Sequence, residues 1–465
     1  MHHHILNVVE YSRVLSEVLS RVKPTDEEQK RILSVAERVV SAIRRRGGRF
    51  VDVVVAGSAA RGTNLRGSSD VDVFLLYPRD VPREEMEREA LEIGKSVSER
   101  YELRYAEHPY VTAFVDGVEV DVVPAYSIQP GEPIISATDR TPLHQRYVSQ
   151  RLAEEQKDEV RLLKAFLKGI GVYGAEIRTE GFSGYLCELL IIHYGSFLGV
   201  LRAASRWRPP VFIDLEGRAA ARFEDPLVVV DPVDPRRNVA APVSLNSLAV
   251  FVAAAGEFLE SPSLRFFFPD DAPLNPQHLK DIMLQRKTTY LFVLSSYPPG
   301  VSPDIVWGEI KRFSKYIRRR MEEYGYEVMN SAAWTDEKEH VALLVELAGG
   351  HTAFVVKRRG PPVFDRENSR RFLERHRDAF FGPYVEGGRW YVDVPRAVPS
   401  PEVAVYRTVV EAVQNRSVGR HVAGELSKGF EVVRGRAILP FYVRNRSFAR
   451  WFSSFVVRRP PWLKR

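Results

Sequence analysis

The chain has 465 residues, enough for two to four domains, and its 45% hydrophobic and 27% charged content suits a globular protein with a substantial core. No apolar run approaches the ~20 residues that cross a bilayer, the start lacks the pattern of a secretory signal, and the single cysteine, Cys187, excludes an intrachain disulfide and a thiolate metal cluster; a cytoplasmic, reducing setting without a membrane is the expectation. A formal charge of +7, with arginine outnumbering lysine, suits an anionic partner and equally the solvated surface of a heat-adapted protein.

Residues 7–46 read as two helices broken at Lys23-Pro24-Thr25-Asp26, with Thr25 or Asp26 as the cap of the second. His2 to His4 carry no assigned chemistry. Residues 51–56 and 71–76 are short β-branched runs and read as strands, 83–101 as a helix, and 111–115 and 118–123 as strands joined by an Asp116-Gly117 hairpin. The first ~145 residues thus predict a mixed α/β domain on a twisted sheet. Residues 150–167 have helical spacing up to Gly169-Ile170-Gly171, 182–201 form another apolar helix, 211–243 are rich in proline and aspartate and read as irregular, and 245–259 are helical. After Ser261-Pro262-Ser263 come a strand (288–294), a helix (303–324) and paired strands (341–347 and 352–356), the pattern of a small α+β sheet of the RNA-recognition type. Helices at 366–380 and 401–413 follow, and the end is basic and aromatic (Trp451, Phe452, Arg458, Arg459, Trp462, Lys464, Arg465).

The stretch "GSAARGTNLRGSSDVDVFLL", residues 57–76, sets two carboxylates into a strand that otherwise reads as core. Side chains two apart on a strand share a face, so Asp70 and Asp72 project together while Val71 and Val73 face the core. Adjacent carboxylates repel unless a cation sits between them, and all-oxygen ligands beside substrate phosphates suit Mg²⁺. The Gly57-Ser58 turn opens a short helix that offers N–H groups and the Ser58 hydroxyl to a phosphate chain, with Arg61 in reach. Gly-Ser, a gap of about a dozen residues and Asp-hydrophobic-Asp together resemble the signature of the nucleotidyltransferase superfamily that includes DNA polymerase beta. Such sites use a third carboxylate to complete two metal positions that activate a 3′-hydroxyl and stabilise leaving pyrophosphate. Asp121 is the choice because it sits deeper in the apolar run 118–124; Glu119, on the same face, is its rival, and Asp116 is the turn residue.

Four further segments resemble the archaeal, class I CCA-adding enzymes: "DRTPLHQRYV" (139–148), "VRLLKAFLKGIGVYGAEIRTEGFSGYLCELLI" (160–191), "DPVDPRRNVAA" (231–241) and "FFGPYVEGGRWYVDVPR" (380–396). The resemblance runs in order over essentially the whole chain. It implies that Ser58 and Arg61 contact the incoming triphosphate, that Asp70, Asp72 and Asp121 bind metal, and that His144, Lys164 and Tyr173 also hold the nucleotide. Arg237 matches an arginine associated with the base, with Arg236 as a neighbour that fits nearly as well. From the residues alone, Lys164 reads rather as an exposed lysine on an amphipathic helix, Tyr173 as a core aromatic after a Gly turn, and His144 as a structural histidine; Cys187 is core.

The fold class that follows is α+β multidomain: a polymerase beta-like mixed-sheet head (1–146), a mainly helical neck (147–264), and a C-terminal α+β body and tail (265–465) with an RRM-like part that binds tRNA. In that last region Arg371, Arg375, Arg377 and Arg389 alternate with Phe380, Tyr384 and Trp390, a mixture suited to phosphates and bases. The implied function is template-independent addition of C, C and A to tRNA from CTP and ATP with Mg²⁺, recognising acceptor and T-arm, in a protein for which a homodimer is open. The rivals are another RNA 3′-terminal transferase such as a poly(A) polymerase, an RNA-binding protein with a degenerate transferase domain, and a small-molecule nucleotidyltransferase.

Overall fold

The computed structural model describes residues 2–68, 70–349, 353, 355–398 and 400–463. They form two compact units, one running to Asp270 and taking back the chain end from Pro461, the other spanning Asp271–Pro460. Among the described residues no single helix is long and apolar enough to cross a membrane.

The first unit opens with α1 (His2–Val22) and α2 (Asp26–Arg46), the latter capped by Thr25, whose side chain accepts from the Glu28 amide. A mixed sheet follows: β1 (Asp52–Ala56), the four-residue α3 (Ser58–Arg61), β2 (Asp70–Tyr77), α4 (Arg83–Val97), β3 (Tyr101–Tyr105), β4 (Pro109–Val115) and β5 (Val118–Tyr126). The sheet order is β1-β2-β5-β4-β3, and only the β2–β5 pairing is parallel. One face carries Val71, Val73, Val120 and Val122 against Val39 of α2 and Met86 and Ile93 of α4. The opposite face carries the carboxylates. Asp116 and Gly117 both have positive φ (48° and 76°), as the tight hairpin predicted from the sequence requires. β3 occupies residues expected to close a helix or lie beyond it.

The rest of this unit is built on α5 (Arg140–Arg151), α6 (Gln156–Gly169), α7 (Gly184–Tyr194), α8 (Phe197–Ala204) and α9 (Leu245–Glu260). Three sequence expectations are corrected here. The helical spacing from 150 belongs to two helices, because the chain breaks after Arg151 and restarts at Gln156. The apolar run 182–201 bends by 91° between α7 and α8, where Gly195 takes φ +84° and Ser196 caps the next helix through the Gly199 amide. The stretch 211–243 holds a small sheet, β6 (Val211–Ile213), β7 (Leu227–Asp231) and β8 (Asp234–Asn238). The core of these helices is rich in phenylalanine, and the chain end joins it: Trp462 is buried and stacks on Phe266 at 5.7 Å.

The second unit contains α10 (Pro276–Arg286), β9 (Thr289–Ser296), α11 (Pro303–Glu323), β10 (Val328–Thr335) and β11 (His340–Leu347). An insertion of β12 (Val355–Pro362), α12 (Arg366–Arg375), β13 (Phe381–Glu386) and β14 (Arg389–Pro395) follows. The unit ends with α13 (Pro401–Gln414), α14 (Arg420–Lys428), β15 (Glu431–Arg434), α15 (Leu439–Arg444) and α16 (Arg446–Val457). The strand expected from Thr352 begins among the described residues at Val355; Thr352 itself, like Lys464 and Arg465, lies outside them.

The main sheet has the order β10-β11-β9-β15, with α11, α13 and α14 packed on one face. An RNA-recognition module displays aromatics on its other, open face. Here that face is covered: Tyr290 and Phe292 of β9 lie buried against Phe452 and Phe448 of α16, with centroids 5.0 to 6.0 Å apart. The stacking platform expected of an RRM-like sheet is therefore absent among the described residues, and Phe452 is core. The aromatic end of the chain serves two cores.

Candidate active site

Parallel pairing of β2 with β5 sets Asp72 directly beside Asp121 and Asp70 beside Glu119. All four point into one cleft of about 240 Å³, completed by Ser58, Ser68 and Arg104. Thr112, opposite Asp121 on β4, donates to Asp121 Oδ1 at 2.5 Å and fixes that carboxylate. Glu119 instead faces Arg104 at 3.6 Å. The crowding has an electrostatic signature: burial first, then the charges of Asp121 and Asp70, push the Asp72 carboxyl up to about 6, with Arg61 opposing. Burial also raises Asp121, against the Thr112 hydrogen bond and Arg104.

The turn before the helix is shaped by Asp72. Gly57 has φ +93°, and a Cβ there would lie 2.9 Å from Asp72 Oδ2, so only glycine brings the α3 backbone this close. Among the described residues no three or more His, Cys, Asp or Glu side chains are gathered closely enough to hold a metal ion by themselves. The carboxylate and hydroxyl oxygens of this cleft, whose single cation Arg104 is turned to Glu119, nevertheless fit Mg²⁺, which uses one or two carboxylates and fills its remaining positions with water and substrate phosphate.

The other predicted residues fall into two clusters. Arg61, nearly buried, donates through Nε to Glu188 Oε1 at 2.8 Å and through Nη1 to Gln145 of α5 at 2.9 Å. Lys164 is 2% exposed, which removes the solvated-lysine reading; its Nζ donates to the Thr63 carbonyl at 3.0 Å, and burial lowers its pKa against the pull of Glu188. Tyr173 joins this group across Gly184, where a Cβ would meet Tyr173 Oη at 3.2 Å and Lys164 Nζ at 3.5 Å. Cys187 is core, its thiol pushed up to about 12 by burial.

In the second cluster His144 and Arg237 converge on Asp231, which is fully buried at the end of β7. His144 Nε2 lies 2.8 Å and Arg237 Nη1 3.0 Å from Asp231 Oδ2, Tyr185 Oη lies 3.2 Å from Oδ1, and the His144 ring stacks on Tyr185 at 3.8 Å. Burial lowers the His144 pKa despite this carboxylate, so the neutral imidazole donates through Nε2. For Asp231, burial works upward but the hydrogen bond from His144, with the Val233 amide and the Arg237 charge, prevails and holds it below the usual carboxylate value. Arg236, by contrast, is exposed on the wall of a larger cavity of about 1050 Å³ that Arg237, Arg140 and Arg146 also line.

Glu188, Asp231, Tyr185, Thr63 and Thr112 were missed by sequence reasoning. Two of them left a signal: a lone carboxylate in the apolar runs "LCELLI" and "LVVVD" is costly to bury and demands a cationic or hydrogen-bonding partner. In the second unit, Arg375, Arg377 and Phe380 are exposed, whereas Tyr384 is tied to Asp393 and stacked on Tyr391, and Arg389 is tied to the Gly360 carbonyl.

The carboxylate-bearing sheet and Gly-Ser turn are those of a nucleotidyltransferase head, and the nucleotidyltransferase domain model matches residues 36–144. Models described as tRNA nucleotidyltransferase, second domain, and CCA-adding enzyme, C-terminal domain, match residues 158–268 and 287–435. The chain is 45% identical over 385 residues to a CCA-adding enzyme of Pyrobaculum aerophilum, covering 82% of this chain and 89% of the relative. It is 37% identical over 425 residues to that of Methanothermobacter thermautotrophicus (90% and 92%) and 42% over 400 residues to that of Saccharolobus shibatae (86% and 92%). The chain belongs to the CCA-adding enzyme family. Enzymes of this family are tRNA nucleotidyltransferases that act on tRNA with ATP and CTP, and nucleotidyltransferases generally use divalent metal ions.

Proposed function

We propose that Asp70, Asp72 and Asp121 form the metal-binding catalytic group for the CCA addition that this chain carries out on tRNA. The observation that carries this reading is the β2–β5 register, which lines the three carboxylates along one cleft beside the Ser58 turn. A pair of Mg²⁺ ions bound there would activate the RNA 3′-hydroxyl and neutralise charge on the leaving pyrophosphate. In the transfer, the 3′-hydroxyl loses its proton to water, its oxygen bonds to the α-phosphorus, the bond from that phosphorus to the α,β-bridging oxygen breaks, and pyrophosphate leaves with that oxygen. Ser58 and the α3 amides, Arg61, Lys164 and Tyr173 bind the triphosphate; His144 completes that side. Arg237, oriented by Asp231, meets the base, and the arginine-lined cavity beside it gives the RNA 3′ end room and positive charge.

The division of labour is a catalytic head (1–146), a nucleotide-holding neck (147–264) and a tRNA-holding body and tail (265–465). Support for the last comes from the exposed Phe364 and Phe380 and from a groove of about 420 Å³ lined by Arg358, Arg359, Arg371 and Arg375. The protein works in the cytoplasm.

The test supplies tRNA lacking its 3′ end with each labelled nucleotide. Asp70→Ala, Asp72→Ala and Asp121→Ala should each abolish C and A addition, Glu119→Ala should retain it, and EDTA should stop the wild type until Mg²⁺ is restored. Near-normal turnover in any of the three variants would remove that carboxylate from the metal site.

A further inference from the structure

Glu188 stands in the middle of the apolar helix α7, between Cys187 and Leu189, and is fully buried. A carboxylate there is tolerated only if cations and donors surround it. Its Oε1 accepts from Arg61 Nε at 2.8 Å and from Thr63 Oγ1 at 2.6 Å. Among the described residues its Oε2 has no partner, and both side-chain polar atoms of Asn64 are likewise buried without one. The same short loop is held twice more from α6: the Thr63 carbonyl accepts from Lys164 Nζ at 3.0 Å and the Asn64 carbonyl from Arg161 Nε at 2.9 Å. Charged groups of two helices therefore pin the segment that leaves α3 for the catalytic strand.

This arrangement fixes a guanidinium. With Nε on Glu188 and Nη1 on Gln145, Arg61 is held on two sides, and one Nη1 hydrogen and both Nη2 hydrogens are left to donate to an anion. Without the Glu188 charge, Arg61 and Lys164 would stand as neighbouring buried cations with nothing of opposite sign between them.

We propose that Glu188 is a positioning residue for the triphosphate: it orients Arg61, anchors Thr63 and through Thr63 seats Lys164, so that helix α7 sets the geometry of the phosphate-binding loop. The proposal rests on Arg61 and Lys164 being phosphate ligands. Because the phosphates are common to CTP and ATP, Glu188 serves both nucleotides alike.

Steady-state kinetics of C and A addition, with melting temperatures, on wild type, Glu188→Gln, Arg61→Ala and the double variant test it. Losing an aligned, charge-assisted contact should raise KM for CTP and ATP together by about tenfold, with kcat within about threefold of wild type. In the Arg61→Ala background the same change should raise KM by less than about threefold, because the group it aligns is gone. Where Glu188→Gln does not fold, Thr63→Val removes one of its two donors and should give a smaller rise, again equal for both nucleotides. Unchanged KM values in Glu188→Gln with an intact Arg61→Ala defect, or fully additive effects, would overturn the proposal alone. Unchanged KM values in Arg61→Ala would overturn the phosphate reading beneath it.

Discussion

Replacing Asp72 by asparagine should stabilise the metal-free protein while destroying its activity. The Asp72 carboxyl ionises only near pH 6 in the folded chain, against an ordinary 3.8, because burial and the charges of Asp121 and Asp70 oppose its negative form. Between those values the folded state holds a proton that the unfolded state has released. Stability of the metal-free wild type therefore falls as pH rises from about 4 to about 6 and stays low above. A gap of roughly two pH units, at ~1.4 kcal/mol each, amounts to about 3 kcal/mol at pH 8. For a unit of this size that corresponds to roughly 6–12 °C in melting temperature. Asp72→Asn carries no charge and escapes the loss. Thermal melts in EDTA should show the variant well above wild type at pH 8 and level with it at pH 3.5. Mg²⁺ should raise the wild-type melting temperature at pH 8 and move the variant much less. A variant that melted below wild type at pH 8 in EDTA, or a difference between the two proteins that ignored pH, would refute the argument that carboxylate repulsion is stored in this cleft.

Four further outcomes are expected. Gly57→Ala forces a strained φ and drives a methyl against Asp72 Oδ2, so nucleotide addition should fall by at least about tenfold while far-ultraviolet circular dichroism stays unchanged. Asp231→Asn removes the charge that orients Arg237 and His144, and the ratio of CTP to ATP KM should shift, whereas a change equal for both would assign Arg237 to the phosphates. Trp462→Ala opens a cavity beside Phe266 and should cost about 3–5 kcal/mol, read as a lowered urea midpoint. Arg371→Ala with Arg375→Ala should shallow the dependence of log tRNA affinity on log salt by roughly one per lost phosphate contact, with CTP binding unaffected.

Much of the molecule was legible because its signals are local. Alternation placed Asp70 and Asp72 on one face and Val71 and Val73 on the other, and the sheet follows that pattern. Asp116-Gly117 marked its hairpin through a backbone conformation that few residue pairs adopt. Thr25 marked a helix start through its own side-chain bond. Helix ends inside apolar runs were less visible: residues 182–201 read as one helix, and only Gly195 and Ser196 hint at the bend.

The sequence by itself determined which residue types could do phosphate and metal chemistry, since a carboxylate pair in a strand and a Gly-Ser turn need a physical reason wherever they occur. Tertiary structure alone decided their partners. That Asp121 stands beside Asp72 follows from a parallel register between strands far apart in the chain. That Lys164 is buried, that Glu188 receives Arg61, and that Asp231 gathers His144 and Tyr185 are outcomes of helix packing across 46 to 127 residues of sequence, and Arg237 reaches Asp231 through the β7–β8 hairpin. Likewise, Tyr290 and Phe292 have the composition of a base-stacking surface, and only the covering helix α16 makes them core. Side-chain identity is a property of one position; burial and pairing depend on which distant segment the fold lays against it.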